Sequence, residues 1–195
     1  LWFTRKLLPW YREHHRPLPW RETRDPYRIW LSEVMLQQTR VEQGLSYYLH
    51  FTERWPTVAD LAAAHENRVL KEWQGLGYYS RARNLLTAAR QVMDEHGGRF
   101  PDSHSELLGL KGVGDYTAAA IASICFEQPD AVVDGNVYRV LARVFGIETP
   151  IDSTAGRKQF KELATELIDV KHPGDHHQAV MELGATVCTP KSPDC

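Results

Sequence analysis

A glycine-bracketed turn followed by a run of small residues, LKGVGDYTAAAIASI, constrains this chain more than any other segment. Gly112 and Gly114 flank Val113, so the backbone there is free to turn sharply and to come close to another molecule. Asp115 is placed to cap the helix read over 117–123. A helix start behind a glycine turn offers unpaired N–H groups and the positive end of the helix dipole, an arrangement suited to phosphate. Twenty residues beyond Gly114, in VVDGN, stands Asp134. A phosphate cradle with a carboxylate close behind it along the chain points to chemistry on a nucleic acid. The plain alternatives stay open. Most G-x-G turns are only turns, and Asp134 ahead of Gly135 and Asn136 also reads as the cap of a helix over 137–144.

The remaining punctuation is that of helices. Asp25-Pro26 reads as the cap and first turn of a pattern running from Tyr27 to about Phe51. Thr57 caps a short helix to Ala64, and Asn67 starts one to Trp73. Residues 80–95 are amphipathic, with Ala82, Leu85, Leu86, Ala89 and Val92 on one side and Gly97-Gly98 as the stop. Asp102 or Ser103 opens 106–110, two helices follow the glycine turn, then comes 153–170, and Pro173-Gly174 breaks the chain before 177–187. No alternating strand pattern is present, so an all-α protein is expected.

At 195 residues the chain has room for one large domain or two small ones. Its 43% hydrophobic and 25% charged content fits a soluble globular protein. No apolar run nears the ~20 residues of a membrane span. The opening LWFTRKLLPW carries charges inside its apolar stretch, unlike a signal peptide, and starting at Leu1 rather than Met it is expected to belong to a longer protein. A net charge of −2 does not argue for DNA, but residues 1–40 carry a net +4 and residues 127–195 a net −4, so the basic part is the one suited to phosphate. The three cysteines, Cys125, Cys188 and Cys195, are too few and too widely spaced for a disulfide framework, which favours a reducing compartment.

Two further segments carry candidate chemistry. GLGYYSRARNL, from Gly75, repeats the layout of glycine turn then helix, and puts Arg81 and Arg83 where a second DNA strand would pass; a plain helix–turn–helix joint is the alternative. In WLSEVMLQQTRV, Glu33 shares a helix face with Ile29, Trp30, Leu36 and Gln37. If that face is buried, desolvation raises the carboxyl pKa and makes Glu33 a general acid; otherwise it is a rim glutamate on an amphipathic helix.

The hairpin LKGVGDYTA with the VD element behind it resembles the helix-hairpin-helix DNA glycosylases. SEVMLQQTRV, GLGYYSRARNL and VDGNVYRVLARV are similar to the MutY-type adenine DNA glycosylases in particular, and the likeness covers nearly the whole chain. It implies the endonuclease III-like fold: a six-helix lobe over 20–126 with the hairpin and Glu33, a second lobe pairing 1–19 with 127–195 and carrying Asp134, and DNA between them. It implies that Glu33 protonates adenine at N7, that Asp134 stays ionised and stabilises an oxocarbenium-like sugar, and that Asn136 hydrogen-bonds near Asp134 or the sugar. Strand-cutting relatives carry a lysine where this chain has Tyr116, and its amine forms a Schiff base with the sugar. Tyr116 cannot, and Lys111 stands at another place in the motif, so a monofunctional enzyme is expected. By the same resemblance Trp20 and Arg21 line the adenine pocket and Gln178 contacts a base edge. Gln38, with Thr39 beside it, and Tyr78 wedge into the duplex as the base is flipped out. Gly112, Val113 and Gly114 clamp phosphate.

Relatives of this type hold a 4Fe–4S cluster with four cysteines, the first two six residues apart, as in ELGATVCTPKSPDC. Cys188 and Cys195 are thus two of four expected ligands; the cluster is expected in the intact protein and incomplete or absent in this chain. Cys125 reads as a small buried apolar residue. The expected partner is double-stranded DNA with adenine opposite 8-oxoguanine or guanine, bound by a monomer in the bacterial cytoplasm, with no membrane involved. An endonuclease III-like glycosylase for oxidised pyrimidines and a non-catalytic DNA-binding module are the alternatives.

Overall fold

The computed structural model of the protein describes residues 2–194. They form α1 (Trp2–His14), α2 (Pro26–Met35), α3 (Val41–Arg54), α4 (Val58–Ala62), α5 (Glu66–Glu72), α6 (Tyr79–His96), α7 (His104–Leu107), α8 (Asp115–Phe126), α9 (Gly135–Phe145), α10 (Thr154–Leu167) and α11 (Pro173–Thr186), with a 3₁₀ turn at Pro19–Arg21. No strand occurs among the described residues, so the fold is all-α as expected. The chain divides into two compact units, Leu18–Ile121, and Leu1–Pro17 together with Ala122–Cys195. No described helix is long and apolar enough to cross a membrane.

In the Leu18–Ile121 unit, α4 and α5 pack on α6, and α2 packs on α3. Asp25 caps α2 by accepting from the Tyr27 N–H at 2.9 Å, with Pro26 in the first turn. The single helix read from Tyr27 to Phe51 is instead two. α2 ends at Met35, and Gln38 sits between the helices with a left-handed φ of 55°. Apolar periodicity runs through the break, which is why the sequence hides it. Thr57 and Asp60 form a reciprocal capping box on α4. α5 starts at Glu66, one residue earlier than read, because His65 Nδ1 accepts from the Asn67 N–H. α6 buries Ala82, Leu85, Leu86, Ala89 and Val92 and stops at Gly97, whose φ is 61°. Ser103 caps α7. Trp30, Met35, Phe51, Leu61 and Trp73 complete this core, with the Phe51 ring edge-on to Trp73 at 5.7 Å. Each such side chain contributes ~1.5–3 kcal/mol on burial.

In the other unit, α11 packs on both α1 and α9, and α9 packs on α10. Phe3, Leu7 and Leu8 of α1 meet Val140 and Leu141 of α9, Phe160 of α10 and Val180 of α11 in one core. α1 escaped the sequence reading because Pro9 lies inside it, where it removes a backbone donor and normally argues against helix. Long-range polar bonds hold α1 in place nonetheless. Thr4 Oγ1 donates to the Leu167 carbonyl at 2.7 Å. The segment after α1 is held by Arg16, which gives Glu182 Oε1 its backbone N–H and Nε, each at 2.9 Å, and Oε2 its Nη2 at 2.8 Å. Glu182 is 0% exposed; paired and triply bonded, it escapes the cost of an isolated buried charge. Ser153 caps α10 through the Gly156 N–H. α11 does not wait until His177 but begins at Pro173, since a proline at the first helical position gives up an N–H that has no helical partner there.

Candidate active site

Glu33 stands on the third turn of α2 and is half-buried. The apolar wall beside it is Ile29 and Trp30, each 1% exposed. Leu36 and Gln37, read as neighbours on the same face, fall at and beyond the helix end.

Asp134 is the N-cap of α9, as the plainer of its two readings had it, and its second oxygen is also engaged. Its Oδ1 accepts from the Val137 N–H at 2.8 Å and its Oδ2 from Asn136 Nδ2 at 2.9 Å. With a donor on each oxygen, the carboxylate is fixed in orientation. Asn136 is held in turn, its Oδ1 accepting from Arg139 Nη2 at 2.8 Å. Arg139 also donates to the carbonyls of Gly184 and Cys188, both at 2.7 Å. A Cβ at Gly184 would lie 2.7 Å from Asn136 Cβ, so the close approach of α11 to α9 at this point requires glycine. Arg139 and Gly184 were missed in the sequence; the three-residue spacing of Asn136 and Arg139 on one helix face was the available signal.

The hairpin comprises α7, the turn at 108–114 and α8. Asp115 does not cap α8 as read but is its first residue, with Oδ1 3.2 Å from His104 Nε2. The two glycines differ. Gly112 has φ 78°, and a Cβ there would come within 2.7 Å of Asn84 Cβ. Gly114 lies outside the left-handed region, and a Cβ there would meet nothing within 4 Å. Val113 is buried between them. Gly112 is thus a demand of the fold, while Gly114 has open space where a Cβ would stand. Gly112→Ala is expected to cost about 1–3 kcal/mol of stability through strain and overpacking. Gly114→Ala is expected to shift the melting temperature by less than about 2 °C but weaken duplex binding roughly tenfold, or about 1.4 kcal/mol. Thermal melts and a fluorescence-anisotropy titration read the two effects, and equal destabilisation by both would refute the distinction. Tyr116 follows in the first turn of α8, half-buried, and Lys111 is exposed.

The second glycine turn corrects the reading of Arg81. Rather than facing a DNA strand, Arg81 is 9% exposed, and its guanidinium is spent on backbone carbonyls of its own unit. Arg83 is exposed and lies 3.3 Å from Glu66. Tyr78 is 65% exposed with φ 46°, and Gln38 is exposed as well. Thr39 is half-buried, its Oγ1 donating to the Gln37 carbonyl at 3.3 Å.

Trp20 and Arg21 lie in the 3₁₀ turn. Trp20 is buried, edge-on to Tyr48 at 5.0 Å, and Arg21 is half-buried. Gln178, on α11, accepts the Tyr11 hydroxyl proton at Oε1 over 2.6 Å, which orients its amide. Just before it, burial pushes His176 down to about 4 and His177 down to about 3. Glu33, Trp20, Gln38, Tyr78 and the hairpin residues through Tyr116 belong to the Leu18–Ile121 unit; Asp134, Asn136, Gln178 and Cys188 belong to the other.

Cys188 is buried, with Arg143 Nη1 3.3 Å from its Sγ, and Cys195 lies outside the described residues. No group of three or more potential metal ligands occurs among the described residues. The donors they supply fall short of the four thiolates a 4Fe–4S cluster takes.

Residues 31–166 match the model of the HhH-GPD superfamily base excision DNA repair proteins. The chain belongs to this superfamily. It is 49% identical to an adenine DNA glycosylase of Rattus norvegicus and 50% identical to one of Homo sapiens, in each case over 99% of the chain but only 39% and 37% of the relative. An adenine DNA glycosylase of Buchnera aphidicola is 36% identical, with 55% of its length covered. The chain therefore spans between about a third and somewhat over half the length of these relatives. Among HhH-GPD structures, a thermostable thymine-DNA glycosylase aligns with a TM-score of 0.89 at 31% identity, covering 99% of this chain and 89% of that one. A trapped endonuclease III–DNA covalent intermediate aligns at 0.83 and 22% identity over 100% of this chain and 88% of that one, a likeness of fold.

Proposed function

We propose that this chain is the catalytic part of a monofunctional adenine DNA glycosylase acting on double-stranded DNA with adenine opposite 8-oxoguanine or guanine. The observation that carries the reading is Asp134, whose two oxygens are each held by a donor, in a chain so similar to adenine DNA glycosylases. Glu33 gives its proton to adenine N7. The C1′–N9 bond then breaks with its electron pair leaving on the base, and the carboxylate of Asp134 stabilises the sugar cation. Water adds at C1′ and its released proton returns to Glu33, leaving an abasic site. Tyr116 has no amine to attack the sugar, so no strand break follows. Trp20, Arg21 and Gln178 contact the flipped adenine, and Gly112 to Gly114 hold the backbone. A 4Fe–4S cluster in the natural protein, with Cys188 and Cys195 among its ligands, belongs to the same reading and enters no step above. The protein acts as a monomer.

The test is single-turnover base release by the natural protein, on duplexes with adenine opposite 8-oxoguanine or thymine glycol opposite adenine, each with and without alkali. Adenine loss with breakage only after alkali is expected. Breakage at thymine glycol without alkali would overturn the reading in favour of an oxidised-pyrimidine enzyme, and binding without any release would leave a binding module.

A further inference from the structure

Gln38 and Tyr78 are two of the few non-glycine residues with a left-handed backbone among those described, at φ 55° and 46°. One lies in the break between α2 and α3, the other at the start of α6. Left-handed backbone is costly for L-residues with side chains and persists only where surroundings impose it. A single side chain is bonded to both segments. Arg81 Nη1 donates to the carbonyls of Val34, Met35 and Gln37 at 3.0, 3.3 and 2.6 Å. Its Nη2 donates to those of Leu76 and Gly77 at 3.1 and 3.4 Å. Its Cζ lies 5.6 Å from the Tyr78 ring centroid and 5.4 Å from that of Trp73.

The carbonyls of Val34 and Met35 are among those a helix end leaves without intrahelical partners, so the cation also sits where the dipole of α2 favours it. The 74–77 turn is braced further: Tyr47 donates to Gln74, Gln43 to Gly75 and the Trp73 indole to Gly77. The outcome is an exposed aromatic and an exposed amide, each on a strained residue, with the carbonyl just before each one tied to the same buried guanidinium.

We propose that Arg81 is a positioning residue that locks the Gln38 and Tyr78 loops into one rigid wedge for opening duplex DNA around the target base. The proposal rests on the glycosylase reading above. Prying a base from a stack requires a part that does not yield, and a planar fork with several fixed donors can bridge two segments where a lysine ammonium cannot.

Arg81→Lys tests it in the natural protein. Hydrogen exchange should rise together at the amides of 38–40 and 76–79 and stay unchanged along the rest of α6; loosening of only one segment, or of neither, overturns the bracket. This arm does not depend on which base the protein releases. In the second arm, adenine release from a mispaired duplex should fall about 10²-fold, the scale of a misplaced positioning contact. Release of adenine opposite an abasic site, where no pairing opposes flipping, should change less than about threefold because the chemical step is intact. Parallel losses on both substrates overturn the wedge role. If wild type releases no adenine, the glycosylase reading fails, while the exchange arm still decides the bracket. A cycle of Gln38→Ala and Tyr78→Ala, both exposed and tolerable to the fold, needs no change at Arg81. One rigid wedge predicts that the double variant loses little more flipping, read by 2-aminopurine fluorescence, than the worse single one; additive losses overturn it.

Discussion

Glu33→Gln is expected to reduce single-turnover adenine release by about 10³-fold, within the range by which general acids accelerate reactions. Glutamine keeps the shape and can still hydrogen-bond, but it has no proton of suitable acidity to give to N7. On the proposed mechanism the base must then leave as an anion while a cation forms on the sugar, and Asp134 would stabilise only the second charge. Duplex affinity should stay within about threefold, since a half-buried side chain on α2 is exchanged for one of equal size. Filter binding and quenched-flow release on the same protein give the two readings. Comparable release by variant and wild type would remove Glu33 from the chemistry, and a parallel collapse of binding would mean that it holds DNA instead.

Acid should unfold the unit that carries Asp134 and Gln178, and the cause is the adjacent pair His176 and His177. Each is 6% exposed. They line a mostly apolar cavity of about 20 Å³ with Val137, Leu141, Leu167 and Val180, and Asp130 is also in its lining. Burial lowers His176 to about 4 against the upward pull of Asp169, and lowers His177 to about 3 with His176 adding to the effect. An unfolded chain has both near 6.5. Between pH 6.5 and about 4 the unfolded state binds protons that the folded state refuses, so stability falls as pH falls. The slope approaches ~1.4 kcal/mol per pH unit for each histidine, and the combined loss by pH 4 is roughly 6 kcal/mol. That is comparable with the whole stability of many domains. Urea denaturation at pH 7, 6, 5 and 4.5 should show the midpoint sliding downward. His176→Leu should flatten the slope by about half. A flat profile in wild type would show that both histidines take up protons as readily in the native state as in the unfolded one, and an unchanged slope in the variant would show that His176 is not its source.

Most helices were legible in the sequence because their starts are written locally. Asp25, Thr57, Ser103, Asp134 and Ser153 all cap where the pattern placed a start. What could not be read depended on distant partners. α1 forms despite Pro9 because α11 and α10 hold it. The break after Met35 depends on Arg81, more than forty positions away. Arg81 itself looked like a phosphate ligand, since a basic residue past a glycine turn gives no sign of whether it faces solvent or carbonyls. The carboxylates were visible as residue types in motifs. The bonds from Asn136 and Arg139 that fix Asp134 involve Gly184 and Cys188, which sequence spacing does not reveal.

The way the two units are cut from one chain sets the order in which they become stable. Leu18–Ile121 is continuous and can close its core as soon as it leaves the ribosome. α1 emerges before the rest of its unit yet waits for its partners, since Leu167 is 163 positions from Thr4 and Glu182 is 166 positions from Arg16. Closing so long a loop is slow, and until α10 and α11 are made, the apolar side chains of Phe3, Leu7 and Leu8 have nowhere to go. During synthesis that stretch stays open to solvent until α10 and α11 arrive.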